Sequence, residues 1–136
     1  MSVFVDTNVV LDLLLTGRAG KPDAQQIFNL GAYGTIALYV SPISFATAAY
    51  FLEKASSPAQ AKARLQTLRG IVNVSIDDER TVDAAFALAN WPDFEDALQY
   101  ASALAVDAEA IVTNNTSDFG GATLPVLTPA AYLQQL

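Results

Sequence analysis

The chain contains neither cysteine nor histidine. Without cysteine it can form no disulfide, no zinc–thiolate site and no thiol nucleophile. Without histidine it has no imidazole base, no Ser-His-Asp triad and no His-ligated metal. Any catalysis must therefore rest on carboxylates, hydroxyls, amides or a bound ion. Basic residues are scarce and one-sided: all seven (Arg18, Lys21, Lys54, Lys62, Arg64, Arg69, Arg80) precede position 81, while residues 81–136 carry seven acids and no base. With a net charge of −7, the chain should repel nucleic acid. A polyanionic substrate would need the local basic segment or a metal ion to offset that repulsion. No apolar stretch is long enough to cross a bilayer, and Met1 leads straight into a strand pattern with no signal-peptide layout. A cytoplasmic protein without a membrane partner is expected.

What is present points to one compact domain. At 136 residues and 52% hydrophobic content, the chain can bury roughly two thirds of its unfolded surface. Strand patterns at Val3–Val5, Thr35–Val40, Ile71–Ile76, Ala110–Val112 and Val126–Leu127 alternate with helical ones. Helices are predicted over about Thr7–Leu15, Pro22–Ala32, Pro42–Lys54, Pro58–Arg69, from a cap at Asp77 to Asn90, Asp93–Val106, and from Pro129 onward. Ser41-Pro42, Ser57-Pro58 and Thr128-Pro129 each pair an N-cap hydroxyl with proline in the first turn. Strands separated by helices predict a three-layer α/β/α domain around a parallel sheet.

In that topology strand C-termini and helix N-termini share one edge, where α/β folds place their chemistry. Asp6 ends the first strand, followed by Thr7 and Asn8. Asp93 and Asp96 open the helix that feeds the fourth strand, and Asp118 lies in the polar run after it. Each acid has a structural alternative: Asp6 and Asp93 as N-caps, Asp118 in an Asx-turn. Their coincidence on one rim is harder to explain structurally. Two unit charges 4 Å apart repel by about 4 kcal/mol at an effective dielectric near 20, several times the contribution of a cap. A divalent ion resolves the conflict, and oxygen ligands select Mg²⁺ or Mn²⁺ over zinc.

These motifs resemble a known family. The opening Val5-Asp6-Thr7-Asn8-Val9-Val10-Leu11-Asp12-Leu13-Leu14 is similar to that of PIN domains. So are Asp93-Phe94-Glu95-Asp96-Ala97-Leu98-Gln99-Tyr100-Ala101-Ser102-Ala103, Ile111-Val112-Thr113-Asn114-Asn115-Thr116-Ser117-Asp118-Phe119 and the ending Leu124-Pro125-Val126-Leu127-Thr128-Pro129. The resemblance spans essentially the whole chain. It implies a metal-dependent ribonuclease, with many relatives acting as toxins of bacterial toxin–antitoxin pairs of the VapC type. It implies Asp6, Asp96 and Asp118 as catalytic metal ligands for Mg²⁺ or Mn²⁺, with Asp93 as an additional, water-mediated ligand. Thr7, Asn8, Thr113 and Asn115 would support them. An RNA substrate, an antitoxin partner and a homodimer are implied as well.

Two positions depart from the family pattern. Thr47 stands where a glutamate is usual, and Glu53 cannot replace it: six residues on, it lies about 600° around and some 9 Å further along the helix. Asn114 stands where arginine is frequent, which removes a phosphate contact. Lys54, Lys62, Arg64 and Arg69 are the candidates for guiding an RNA backbone, against the plainer reading of solvated helix faces. The alternative to a ribonuclease is a degenerate, non-catalytic PIN fold that binds RNA or a protein. Receiver-type and haloacid-dehalogenase-like chemistry fits poorly because nothing after Arg80 is basic, and no Gly-x-Gly-x-x-Gly follows the first strand.

Overall fold

A computed structural model describes residues 1–136. Five parallel strands, β1 (Ser2–Val5), β2 (Ala37–Val40), β3 (Asn73–Val74), β4 (Ala110–Val112) and β5 (Val126–Leu127), form one sheet in the order β3-β2-β1-β4-β5. Seven helices connect and cover them: α1 (Thr7–Leu14), α2 (Lys21–Ala32), α3 (Pro42–Ala55), α4 (Pro58–Arg69), α5 (Glu79–Ala87), α6 (Phe94–Ala105) and α7 (Pro129–Gln134). This is the three-layer α/β/α arrangement expected of the sequence.

Strand alternation divides the core between the two faces of the sheet. Val3 and Val5 of β1 join Val112 of β4 in a large cluster with Val9, Val10, Ile27, Phe28, Ala48, Leu52 and Tyr132, from α1, α2, α3 and α7. Phe4 and Ile111 point the other way, onto Tyr100 and Ala103 of α6 and onto Phe119. Behind them α5 packs on α6 through Ala85, Ala97 and Ala101, small residues that let the two helices approach closely. Buried on both sides, β1 and β4 read as nearly unbroken apolar runs, as central parallel strands do.

The proline-marked helix starts form as the sequence indicates. Ser41, Ser57 and Thr128 each accept a hydrogen bond from the backbone N–H three residues on. Around β3 the structure differs from expectation. The strand is two residues long, because Ile71 and Val72 still donate their N–H groups to Leu68 in the last turn of α4. Asp78 caps α5 in place of Asp77, accepting from the N–H groups of Arg80 and Thr81. Asp77 is instead engaged by Ser102 on α6 at 2.5 Å. Nor does α5 reach Asn90; it ends at Ala87, where Leu88 turns extended, and Asn90 takes a φ of +64°.

Candidate active site

The sheet order reverses between β1 and β4: β2 and β3 extend to one side, β4 and β5 to the other. In open α/β sheets a crevice forms at such a switch, beyond the strand C-termini. Asp6 is the first residue past β1 at this point, and its own N–H bonds Val112 O at the end of β4 (2.9 Å). Its side chain is 7% exposed, so the carboxylate must be satisfied by the protein.

Four donors satisfy it. Oδ1 accepts from the Thr7 N–H (2.9 Å) and from Gln99 Nε2 (3.1 Å). Oδ2 accepts from Thr113 Oγ1 (2.8 Å) and, at longer range, from Asn8 Nδ2 (3.3 Å). Thr113 in turn accepts from the Asn115 N–H (3.1 Å), and Asn8 Oδ1 accepts from the Asn114 N–H (3.1 Å). Thr7 Oγ1 lies 2.7 Å from Ser44 Oγ on α3. Asn8 and Thr113 therefore hold Asp6 through their side chains and Thr7 through its backbone N–H, whereas Asn115 contributes its backbone N–H to Thr113.

The other three acids line a separate, more open part of the rim. Asp93, Asp96 and Asp118 border a cleft of about 360 Å³ with Trp91 and Ser117. Trp91 fixes its wall by stacking on Tyr100 (4.9 Å, 14°) and meeting Phe119 edge-on. Gly121 backs onto the same indole so closely that a Cβ would fall 2.8 Å from its ring nitrogen. Asp93 caps α6 through the Asp96 N–H (3.2 Å), as its structural alternative anticipates, with one carboxylate oxygen. Asp6, almost wholly buried, is not among the residues that line this cleft.

The four carboxylates nevertheless share one electrostatic field. Asp96 is pushed up to about 7, first by burial, then by Asp93, Asp118, Asp6 and Glu95 in that order. No cation relieves them: the ion pair of the structure joins Arg18 to Asp12 (2.9 Å), away from the four acids. The donors thus suit a hard divalent ion in kind. As the side chains lie, no three of them stand close enough together to share one ion. That arrangement fits an ion of the Mg²⁺ type, which keeps several waters and takes only one or two carboxylates directly.

The remaining predicted residues lie elsewhere. Thr47 is half-buried on α3. Lys62 and Arg69 border an apolar groove of about 500 Å³ between α3 and α4, floored by Phe45, Ala49, Ala61 and Leu65, and Glu53 lies in the same groove. Arg64 is tied to Leu14 O (3.0 Å), Arg69 to Val72 O (3.0 Å), and Lys54 sits 4.4 Å above the Tyr50 ring. Three of the four cations therefore already have a partner within the fold.

Two residues of this region stand within the motifs quoted above but have no role assigned to them there. Gln99 is 1% exposed and bridges α6 to Asp6. Its signal is positional: a long amide on the buried stripe of α6, one turn beyond Asp96. Asp12, also buried, joins Arg18 and Asn114; its only signal is an acid among Val9, Val10, Leu13 and Leu14.

A family model described as PIN domain matches residues 2–117, and the chain belongs to the PIN domain family. No curated protein matches it by sequence. Among solved structures it is similar to a toxin–antitoxin complex from Klebsiella pneumoniae, at 24% identity over 93% of this chain and 97% of that chain, with a TM-score of 0.70. It is similar to VapBC-1 from nontypeable Haemophilus influenzae, at 20% identity over 96% and 99% of the two chains, with a TM-score of 0.69. A third is Mycobacterium tuberculosis VapC20, a sarcin-ricin loop cleaving toxin, at 18% identity over 80% and 86%, with a TM-score of 0.61. At these identities the likeness is one of fold.

Proposed function

We propose that this protein is a divalent-metal-dependent endoribonuclease of the PIN type, working in the cytoplasm as the toxin of a toxin–antitoxin pair. The observation that carries this reading is the cleft lined by Asp93, Asp96 and Asp118 with no basic side chain in its wall, a setting that, with burial, pushes Asp96 up to about 7. Such a cluster is costly unless protonated or bridged by a cation. The membership of the PIN family and the toxin–antitoxin complex among its structural relatives support the same reading.

In this scheme Asp6, Asp96 and Asp118 hold Mg²⁺ or Mn²⁺ between them, one or two directly and the rest through its waters, as Asp93 does. The chemistry a bound dication supplies is acidification of water and neutralisation of phosphodiester charge. The chain's own contribution is placement. Thr7, Asn8, Thr113 and the Asn115 N–H keep Asp6 in one orientation, and the Trp91 wall holds the helix start bearing Asp93 and Asp96 against the loop bearing Asp118. Lys54, Lys62, Arg64 and Arg69 are proposed to guide the RNA backbone, and an antitoxin and a second copy of the chain are the proposed protein partners. Thr47, at the usual glutamate position, weakens turnover more than ion binding.

Crystals soaked in Mn²⁺ should show an anomalous peak beside Asp6, Asp96 and Asp118, and wild-type protein should cleave RNA where Asp6→Asn does not. Equal cleavage by both proteins after EDTA treatment and repurification would overturn the scheme. Thr47 favours one second reading, a non-catalytic PIN fold that binds RNA or protein. Gain of Mn²⁺-dependent cleavage in Thr47→Glu, from an inactive wild type, would establish that reading; activity in the wild type would exclude it.

A further inference from the structure

Gln99 is the largest buried polar side chain at the rim that the proposed chemistry leaves without a part. Its orientation is fixed from both ends. Ser41 Oγ donates to Oε1 at 2.5 Å, so the amide nitrogen must face the other way. There Nε2 meets Asp6 Oδ1 (3.1 Å), Thr7 Oγ1 (3.2 Å) and, more distantly, Ser44 Oγ (3.4 Å). A carboxylate neighbour accepts and cannot donate, so the assignment of nitrogen and oxygen follows from chemistry. Three elements, α1, α3 and α6, thus converge on one amide.

The consequence falls on the two oxygens of Asp6. Oδ1 receives two N–H donors, the Thr7 backbone and the Gln99 amide, at 2.9 and 3.1 Å. Oδ2 receives one close donor, the Thr113 hydroxyl at 2.8 Å, and a long one from Asn8 at 3.3 Å that Asn8 shares with Thr113 Oγ1. Oδ2 faces the β4 end and its loop, which carries Asp118, and it alone has a weakly used lone pair. Turning both oxygens toward a cation would break the bonds at Oδ1, taking from the Thr7 N–H its acceptor and leaving the buried amide only its longer contacts to Thr7 Oγ1 and Ser44 Oγ, a loss that buried polar groups do not tolerate well.

We infer that Gln99 is a positioning residue that makes Asp6 a one-oxygen ligand, through Oδ2, and thereby biases the site toward small octahedral ions such as Mg²⁺ and Mn²⁺ and against Ca²⁺. Calcium takes six to eight oxygens and gains from carboxylates that chelate with both, whereas Mg²⁺ demands near-octahedral single-oxygen contacts. The inference rests on the proposed ion site and adds to it the origin of its selectivity. Loss of a partner that orients a ligand in this way typically costs about 10–100-fold in metal affinity.

The test is calorimetric titration of MnCl₂ and of CaCl₂ into wild-type protein, Gln99→Met and Gln99→Asn. Methionine keeps the length and fills the space without an amide; asparagine keeps the amide but withdraws it from Asp6, and serves if the methionine variant fails to fold. In either variant Mn²⁺ affinity should fall about tenfold while Ca²⁺ affinity holds or rises, so that the ratio between them collapses. General loosening of the fold would weaken both ions alike and leave the ratio unchanged; that result overturns the role of Gln99 while the ion site stands. A wild type that binds neither ion overturns the site itself and this role with it.

Discussion

The side-chain amide of Asn114 donates to Asp12 Oδ2 at 2.7 Å, joining residues 102 positions apart. Asp12 Oδ1 takes Arg18 Nε at 2.9 Å, so both oxygens of this buried carboxylate are engaged. The loop after β4, which also carries Asp118, is therefore tied to α1 and to the segment between α1 and α2. Asp12→Ala removes the common partner of Arg18 and Asn114, both of them exposed enough to recover water, and leaves a gap where a buried side chain stood. The expected cost is about 1–3 kcal/mol, read as a lower urea midpoint with an unchanged slope. An unaltered midpoint would show that the network adds nothing to stability.

Gly20 lies against the same carboxylate. Its φ of −79° is open to any residue, yet a Cβ there would fall 2.2 Å from Asp12 Oδ2 and 3.0 Å from its Cγ. Asp12 cannot yield freely, because Arg18 and Asn114 hold it from both sides. Gly20→Ala should therefore destabilise by about 1–3 kcal/mol, in the manner of overpacking, although backbone entropy alone would favour alanine. Thermal melting decides the sign. In an Asp12→Ala background the same substitution should become neutral or stabilising, since the obstructing side chain is gone.

Asp96 gives metal-free protein a definite pH dependence. Its folded value is raised from 3.8 to about 7, so between those limits the native state binds more protons than the unfolded chain. Stability then falls as pH rises through this window, and the contribution of Asp96 is most favourable at the acid end. Melting in EDTA should improve from pH 7.5 to pH 5 until other carboxylates begin to protonate. Asp96→Asn should flatten that slope. With Mn²⁺ present the trend should reverse, because protons and cation compete for one group. A melting temperature independent of pH over this range in EDTA would contradict the shared field of the four acids.

The fold was readable because its signals are local. A Ser-Pro or Thr-Pro pair starts a helix whatever surrounds it, and an apolar run ending in Asp6-Thr7-Asn8 marks a strand terminus. Convergence of Asp6, Asp93, Asp96 and Asp118 on one rim followed from parallel topology alone. Where the reading failed, distant partners decided. Asp77 and Asp78 are equal as caps, and only Ser102, on another helix, draws Asp77 away. Gln99 could be placed on a buried stripe, but nothing nearby in sequence shows that its amide meets a carboxylate 93 positions earlier. Nor could the sequence show that Asp6 is buried and takes no part in lining the cleft formed by the other acids.

That difference separates two substitutions that look equivalent in the sequence. Asp6→Asn and Asp96→Asn each remove one charge from a repelling cluster, and both are expected to abolish cleavage. In metal-free buffer their effects on stability should be opposite. Asp96 is partly exposed and surrounded by other acids, so replacing it relieves repulsion and should raise the melting temperature above pH 7. Asp6 accepts four hydrogen bonds with two carboxylate oxygens, and an asparagine offers one acceptor oxygen and an NH₂ group. If that oxygen keeps Thr7 and Gln99, the NH₂ faces Thr113 Oγ1 and Asn8 Nδ2. The threonine hydroxyl can rotate to accept, but the Asn8 amide then meets a second donor. The expected loss is about 1–2 kcal/mol, set by one displaced bond and one imperfectly satisfied buried group. Parallel melts of the two variants in EDTA at pH 8 provide the check: shifts of the same sign would mean that charge alone, and not the hydrogen-bonded setting of Asp6, governs this rim.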